Sequence, residues 1–180
     1  MIALQPFTRD DIPRLTGWID SEAALIQWSG QRFSYPLEPS AFEAYLQEAE
    51  ADPHEHHLFN VVAQDNGEVI GHVELIVIAP HRRQGHICRV LIAPKARQGK
   101  GYGTAVMRRI AEMGFRELGL KKISLNVIIF NLAAIACYKK VGFTVEKVME
   151  ENLRIGEKKW SSYHMALTED AWQDHLEQDG

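Results

Sequence analysis

The chain has 180 residues, with 20 Lys and Arg against 24 Asp and Glu, which gives a formal net charge of −4. At 46% hydrophobic and 24% charged residues the chain is neither disordered nor fibrous, and its length suits one domain of roughly 100–200 residues. We therefore expect a single domain over residues 1–180 with its core at about 2–168, and the acidic balance argues against a nucleic-acid or anionic-membrane partner.

The N-terminal third of the chain predicts one strand followed by helices. Residues 2–7 are typical of a short strand, and Thr8 is placed to cap the helix that follows. The segment from Ile12 to about Gln27 predicts an interrupted helix. Residues 40–52 predict a second helix, because their apolar side chains recur at helical spacing.

The spacing of apolar residues then becomes that of strands. Asp65-Asn66-Gly67 is a favoured hairpin turn between two strand segments, and a third strand follows a polar loop. Further helices end at Gly119 and Gly142, and the last residues predict an acidic turn. The predicted strands are residues 2–7, 58–64, 68–79, 86–94, 122–129, 144–153 and 160–167, and the later helices are 102–118 and 131–141. The order β-αα-βββ-α-β-α-ββ predicts an α/β fold with a mixed sheet rather than a doubly wound one.

Three glycines at residues 99, 101 and 103 lie between the strand that ends near residue 94 and the helix that follows. Glycine allows a tight turn in which successive N–H groups face one anion at the positive end of a helix, and Lys95, Arg97 and Lys100 add positive charge. A P-loop motif is absent, and Thr104 stands where a dinucleotide fingerprint needs its third glycine. The loop therefore predicts a phosphate site of another kind, with a ligand-free connection as the alternative.

Two motifs resemble signatures of the GCN5-related N-acetyltransferase (GNAT) superfamily. Residues 98–103 (QGKGYG) match its pattern [QR]-x-x-G-x-[GA], and residues 131–143 resemble its second signature at the usual distance. The resemblance covers about residues 58–148. It implies the GNAT fold and an acetyl-CoA-dependent N-acetyltransferase that needs no metal.

The resemblance also assigns cofactor contacts. Acetyl-CoA would lie between the strands 86–93 and 122–129. Its pantetheine arm would pair with the edge of the first strand, and its pyrophosphate would lie on the glycine loop. The helix 131–141 would contact the cofactor from the opposite side. The residues so assigned are Val90, Leu91 and Ile92 for pantetheine, Gln98, Gly99, Lys100, Gly101, Tyr102, Gly103 and Thr104 for pyrophosphate, and Asn131 and Ala134 on the following helix.

Catalytic roles follow from the same resemblance. Tyr138 matches the tyrosine that protonates the departing thiolate, with a packed core aromatic as the alternative, and a backbone N–H near Leu91 or Ile92 would bind the oxyanion. His86 stands where many relatives carry a glutamate base, a departure that makes His86 and Glu74 rival candidates for the base. A structural role is equally open for both.

The acceptor is less well defined by the sequence. Trp28, Phe33 and Tyr35 either line an amine pocket or belong to the core, and Asn126 is placed to orient a water or the acceptor. The acceptor would be a primary amine on a small molecule, an antibiotic, a protein N-terminus or a lysine. The chain looks most like the ribosomal-protein and diamine acetyltransferase branches, and a homodimer is allowed. The alternative function is a non-catalytic acyl-CoA sensor.

Other features predict no further chemistry. Cys88 and Cys137 are not in a CxxC pair, so neither a disulfide framework nor a thiolate zinc site is expected. His54-Glu55-His56-His57 lacks the second histidine of HExxH, because Leu58 stands there, and is expected to be a solvated loop. Without a signal peptide or an apolar run near the roughly 20 residues of a membrane span, the expected location is the cytoplasm, with no membrane partner.

Overall fold

The computed structural model describes residues 1–79, 81, 83–93 and 98–179. Within them, seven strands form one sheet in the order β1-β2-β3-β4-β5-β7-β6. All neighbours are antiparallel except β4 and β5, which run parallel. The strands are β1 Ile2–Pro6, β2 His56–Ala63, β3 Val69–Ala79, β4 Gln84–Ile92, β5 Lys122–Ile128, β6 Thr144–Ile155 and β7 Lys158–Thr168.

The helices lie on both faces of this sheet. A short 3-10 turn, Arg9–Asp11, precedes α1, and a π-helical turn, Met113–Glu117, continues α4. The α-helices are α1 Ile12–Gly17, α2 Glu22–Ser29, α3 Pro39–Ala51, α4 Tyr102–Glu112, α5 Leu132–Lys139 and α6 Glu169–Asp179. The predicted α/β fold with a mixed sheet is confirmed.

The predicted C-terminal turn is wrong, since those residues form the helix α6. The Thr168 hydroxyl accepts a hydrogen bond from the Ala171 N–H at 3.3 Å, and two acidic residues lie in the first turn, where the helix dipole favours them. Trp172 is buried and packs on Phe115 at 5.3 Å between ring centroids. A cap and one buried aromatic side chain therefore stabilise a helix whose composition is largely polar.

The predicted loop at His54–His57 is also partly wrong. His54 and Glu55 lie in a turn, but His56 and His57 begin β2 and are half buried. The His56 Nδ1 and His57 Nε2 atoms are buried without a hydrogen-bond partner among the described residues. β2 therefore begins two residues before the predicted strand.

Two apolar layers cover the sheet. On one face α4 packs Val106, Met107 and Ile110 against strand residues that include Leu75 and Ile123. On the other face the segment of α1, α2 and α3 forms a second core around Phe42. Within this second layer, α2 contacts both β4 and β6. The helix therefore lies over the part of the sheet between these two strands.

Candidate active site

The two parallel strands at the centre of the sheet separate after a short pairing. β4 and β5 are paired from Gln84 with Lys122 to Ile87 with Leu125. Beyond Ile87, β4 continues along β3 as far as Ile92, whereas β5 continues along β7 as far as Ile128. In the described part of the chain the sheet is therefore split between β4 and β5.

A bulge at Arg89 lies where the split begins. The β3–β4 register shifts between Glu74, which faces Cys88, and His72, which faces Leu91. Arg89 has a φ of 51°, which is uncommon for a residue other than glycine. The Trp28 indole N–H donates to the Arg89 carbonyl at 2.9 Å, so α2 holds the bulged backbone. A bulge bends its strand and increases its twist, and here it directs β4 away from β5.

Glu74 is the centre of a buried polar cluster behind the bulge. Its side chain has 0% exposure, forms an ion pair with Arg89 at 2.6 Å, accepts from the Tyr45 hydroxyl at 2.7 Å and lies 2.9 Å from His72 Nε2. Burial by itself would raise the pKa of Glu74, but Arg89 and the hydrogen bonds from His72 and Arg89 lower the pKa to about 2. Both carboxylate oxygens are engaged, so Glu74 is an ionised structural partner of Arg89.

A cavity of about 160 Å³ opens on the same face of the sheet, at the split. Residues of α2, β4, β5, β6 and β7 line it. Of the predicted site residues it contains Trp28, His86 and Asn126; its lining residues are Ile26, Gln27, Trp28, Ser29, Gly30, His86, Ile87, Cys88, Arg89, Asn126, Val127, Ile128, Asn152, Leu153 and Ser162.

His86 presents a free ring nitrogen to this cavity. The Ser124 hydroxyl donates its single hydrogen to the Gly85 carbonyl at 3.3 Å, so it accepts from His86 Nδ1–H at 3.0 Å. His86 Nε2 is then the unprotonated nitrogen. Burial, followed by the nearby His164 and Arg89, lowers the pKa of His86 to about 4, so the ring is neutral at pH 7.

His164 is a site residue that the sequence did not single out. Its ring lies parallel to that of His86, with 6.4 Å between centroids, and its Nδ1 donates to Asn126 Oδ1 at 2.8 Å. Its Nε2 lies 3.9 Å from a Glu146 carboxylate oxygen. Strand alternation offers the only sequence signal, because β7 pairs His164 with Asn126 and so places both on one face.

Two of the predicted acceptor residues lie outside the cavity lining. Phe33 is half buried and stacks on Trp28 at 6.2 Å, within the aromatic core around Phe42. Tyr35 is 44% exposed and donates its hydroxyl to the Asp20 carbonyl at 3.1 Å. Of the three aromatic residues, Trp28 alone lines the described cavity.

The glycine loop is described from Gln98 onward, and Lys95 and Arg97 lie outside the described residues. The Gln98 amide donates to the Ile92 carbonyl at 3.0 Å. Gly101 caps α4 with a φ of 82°, and a Cβ added there would meet nothing within 4 Å. No side chain therefore fills the space beside the start of α4, where the N–H groups of a helix N-terminus favour an anion.

A second groove of about 690 Å³ runs from this loop along α4. It begins at Gly101 and Thr104 and reaches Lys140 at the end of α5, with Arg108 on its wall. Lys100 and Tyr102 lie at the start of α4, exposed and half buried respectively. Positive charge thus lies beside the described end of the loop.

Helix α5 packs against the start of α4. The Asn131 side chain caps α5 by accepting from the Ala134 N–H at 3.3 Å. The Thr104 hydroxyl donates to Cys137 Sγ at 3.5 Å, and a Cβ on Gly103 would lie 3.4 Å from the same sulfur. Small residues at this contact let the first turn of α4 approach the C-terminal half of α5.

Tyr138 lies on the inner face of α5, 8% exposed. Burial raises the pKa of Tyr138 above its ordinary value, and the neighbouring Cys137 raises it further, so the phenol stays protonated. Among the described residues its hydroxyl has no hydrogen-bond partner. Tyr138 is not part of the cavity lining that contains His86.

Within the described residues no group of three or more His, Cys, Asp or Glu side chains is arranged to hold a metal ion. No described helix is long and apolar enough to cross a membrane.

Known proteins share this sequence pattern and fold. The acetyltransferase (GNAT) family model matches residues 22–143. The L-amino acid N-acetyltransferase AaaT of Escherichia coli K12 is 34% identical over 86 residues, which are 48% of this chain and 53% of that protein. The chain thus matches about half the length of AaaT.

An aminoglycoside N(6')-acetyltransferase type 1 from Klebsiella pneumoniae is 26% identical over 154 residues, covering 79% of this chain and 73% of that protein. Among solved structures, spermidine N-acetyltransferase from Vibrio cholerae in complex with CoA and spermine has a TM-score of 0.81 and 24% identity, over 96% of this chain and 98% of that one. This likeness shows the fold.

Proposed function

Since the chain belongs to the acetyltransferase (GNAT) family, we propose that it transfers the acetyl group of acetyl-CoA directly to a primary amine. The observation that supports this most is the split between β4 and β5 beside a cavity with a neutral histidine. The split leaves the β4 edge at residues 90–92 without a described strand partner on the β5 side. An extended amide-bearing chain fits such an edge, because it offers backbone donors and acceptors.

The residues around the split fit acetyl-CoA. The pantetheine arm would lie along Val90, Leu91 and Ile92, and the pyrophosphate would lie on the N–H groups at the start of α4. Gly99 and Gly101 have positive φ values and no neighbour within 4 Å of an added Cβ, so no side chain fills that space. Arg108 and Lys140 of the adjacent groove supply positive charge near the phosphates.

Acetyl-CoA would supply the acetyl group as an activated thioester. An alkyl amine has a pKa near 10, so the acceptor first loses a proton to water and attacks as the neutral amine. The nitrogen becomes positively charged as the N–C bond forms, and a base is needed to take its second proton. We assign this role to His86, because its Nε2 carries the lone pair and the ring lines the cavity. Its neutral state at pH 7 follows from a pKa lowered to about 4 by burial, His164 and Arg89.

Glu74 is assigned a positioning role rather than that of the base. Its carboxylate is fully buried and is engaged by Arg89, Tyr45 and His72. A base must be within hydrogen-bond reach of the proton it removes, and the cavity lining contains Arg89 and Cys88 but not Glu74. Glu74 therefore acts through Arg89, by holding the bulge that separates β4 from β5.

The strand supplies a donor for the developing oxyanion. Ala93 N–H donates to the Ile70 carbonyl of β3, so Leu91, two residues earlier, also directs its N–H toward β3. Ile92 then faces the opening, and the Gln98 amide bound to its carbonyl supports this direction. Of the two predicted donors, we therefore assign the Ile92 N–H, since a backbone donor fixed in place stabilises charge that develops in the transition state.

Tyr138 would protonate the thiolate that leaves when the C–S bond breaks. Because burial holds its pKa above the ordinary value, the phenol retains its proton over the working range of pH. An acid within reach of the sulfur would then complete the transfer: the amine loses one proton, the amide bond forms, and CoA leaves as the thiol.

The transfer is direct rather than through a cysteine. Burial, followed by the Glu74 charge, raises the pKa of Cys88 to about 12, and burial also raises the pKa of Cys137. The thiolate is the nucleophilic form, and both thiols remain protonated at neutral pH. Initial rates at varied acetyl-CoA and amine should therefore give intersecting rather than parallel double-reciprocal lines.

Thiol release from acetyl-CoA across a panel of amines tests the proposed activity. The named relatives act on an L-amino acid, an aminoglycoside and spermidine, so each class belongs in the panel. Release that depends on an amine supports the proposal. Tight acetyl-CoA binding without turnover on any amine would instead support an acyl-CoA sensor.

The proposal includes a cytoplasmic location and a reaction without a metal ion, and it allows a homodimer. An unchanged rate in the presence of a chelator would support metal-free transfer. Cell fractionation and analytical ultracentrifugation test the location and the oligomeric state.

A further inference from the structure

The polar walls of the cavity present hydrogen-bond donors. Asn126 Oδ1 accepts from His164 Nδ1 at 2.8 Å, and Asn152 Oδ1 accepts from the Ser162 hydroxyl at 3.0 Å. An amide oxygen only accepts and an amide nitrogen only donates. With both oxygens engaged, and with neither nitrogen bonded to another described residue, the two side chains offer N–H groups to a ligand.

A bulge in β6 places Asn152 at this wall. The β6–β7 register shifts between Met149 and Leu153, and Glu151 has a φ of 45°. The Glu151 N–H donates to the Ser161 hydroxyl at 3.0 Å, which holds the bulged segment. Bulges commonly redirect a side chain beside an active site, and this one brings Asn152 opposite α2.

The cavity offers little to bind a second positive charge. Its described lining contains no carboxylate. Arg89 is the permanent cation of the lining and is paired with Glu74, while His86 is neutral at pH 7. A further ammonium on the acceptor would lose water without gaining an anionic partner, and such desolvation is unfavourable.

We infer that the acceptor is an α-amino carbonyl compound, whose oxygen accepts hydrogen bonds from Asn126 and Asn152 while its amine faces His86. This inference rests on the proposed acetyl transfer. The cavity of about 160 Å³ equals roughly five water volumes, enough for one small residue. A free amino acid and the first residue of a peptide share this chemistry.

A matched pair of amines isolates the carbonyl group. L-Alaninamide and isopropylamine differ only in that a carboxamide replaces one methyl group, and kcat/KM is compared after correction for the fraction of unprotonated amine. We expect L-alaninamide to exceed isopropylamine by about tenfold or more, the effect of one or two hydrogen bonds. L-Alanine distinguishes a carboxylate from a carboxamide, and spermidine, the polycation, should fall below both.

Substitution of Asn152 tests the donors directly. Asn152→Leu removes the N–H donors and should reduce the L-alaninamide advantage to about one- to threefold. Asn152→Asp places a carboxylate at the wall and should raise kcat/KM for spermidine about tenfold. Asn66→Asp makes the same change in the distant β2–β3 turn and should leave all ratios unchanged.

Failure of this inference is distinct from failure of acetyl transfer. Turnover in which isopropylamine or spermidine equals or exceeds L-alaninamide would overturn the inference and leave acetyl transfer intact. If no amine is acetylated, calorimetric titration of the acetyl-CoA-bound protein with L-alaninamide and isopropylamine shows whether the cavity prefers the α-amino carbonyl compound. Preferential binding of L-alaninamide would then support the inference alone, and equal or absent binding would overturn it.

Discussion

Replacing Glu74 by glutamine should destabilise the protein strongly while leaving acetyl transfer largely intact. Glu74 has 0% side-chain exposure, and its Oε2 lies 2.6 Å from an Arg89 nitrogen that is itself buried. Removing one partner of a buried ion pair leaves the other charge uncompensated, at a cost of about 3–5 kcal/mol.

The lowered pKa of Glu74 gives the order of magnitude of the same interaction. Burial raises its pKa, but the Arg89 charge and the hydrogen bonds from His72 and Arg89 together outweigh burial and lower the pKa from 4.5 to about 2, a difference that corresponds to about 3 kcal/mol. Because the pKa is lower in the folded protein, the stabilisation is complete above about pH 4.5 and is lost as the pH falls from 4.5 toward 2.

Urea unfolding at pH 7 and below measures this contribution. Glu74→Gln should lower the free energy of unfolding by about 3 kcal/mol or more and weaken its dependence on pH below 4.5. Glu48→Gln, which breaks the exposed pair with Arg32, is the matched control and should change stability by less than about 1 kcal/mol. The double variant Glu74→Gln/Arg89→Met should recover part of the loss.

Activity decides between a positioning and a catalytic role for Glu74. At a temperature where Glu74→Gln is folded, we expect kcat to stay within about tenfold of the parent protein. An unchanged unfolding free energy together with a 10²-fold or larger fall in kcat, the range for loss of a general base, would refute this reasoning.

Three further substitutions test the remaining assignments. His86→Gln should lower kcat by about 10²-fold or more. In the parent protein, kcat/KM corrected for the fraction of unprotonated amine should show no fall near pH 6.5, because the pKa of His86 is lowered to about 4; pH profiles of both proteins check this. Tyr138→Phe should lower kcat by about 10²-fold with little change in acetyl-CoA affinity, measured by steady-state kinetics and calorimetry. Gly101→Val should weaken acetyl-CoA binding about tenfold or more in a titration, because it places a side chain in the space before α4.

Control variants and contradicting outcomes distinguish these three roles from general effects of substitution. His54→Gln changes an exposed histidine and should leave kcat unchanged, and an activity limb near pH 6.5 that persists in His86→Gln would exclude His86 as its source. Equal kcat in Tyr138→Phe would mean that another group protonates the thiolate. Gly67→Val, with a similar φ of 72° and equally open surroundings, should share the backbone strain of Gly101→Val but not its loss of affinity.

Local sequence signals were sufficient to predict the starts of α4 and α5. Gly101 needs a positive φ at the start of α4, and Asn131 caps α5 through its own side chain, so each role depends on a few neighbouring residues. The hairpin at Asn66-Gly67 was equally local, with Gly67 at a φ of 72°. The predicted starts of α4 and α5 and the predicted ends of both hairpin strands lie within two residues of those in the structure.

The acceptor side depends on contacts between distant segments. Glu74 and Arg89 are each a charged residue in an apolar strand, a signal that each needs a partner, but only the β3–β4 register pairs them. His164 reaches Asn126 across β5 and β7, and Asn152 depends on a bulge that no short pattern predicts. For the same reason, the sequence could not show that Trp28 lines the cavity whereas Phe33 packs only in the aromatic core.

The most direct test of the central claim is a mass balance on the purified protein with acetyl-CoA and L-alaninamide, in which free CoA and N-acetyl-alaninamide are quantified in the same samples. Acetyl transfer in the split sheet predicts that both products appear at equal rates and that neither appears without the amine. Release of CoA without the acetylated product, or tight binding of acetyl-CoA with neither product formed from L-alaninamide or any other amine of the panel, would contradict it.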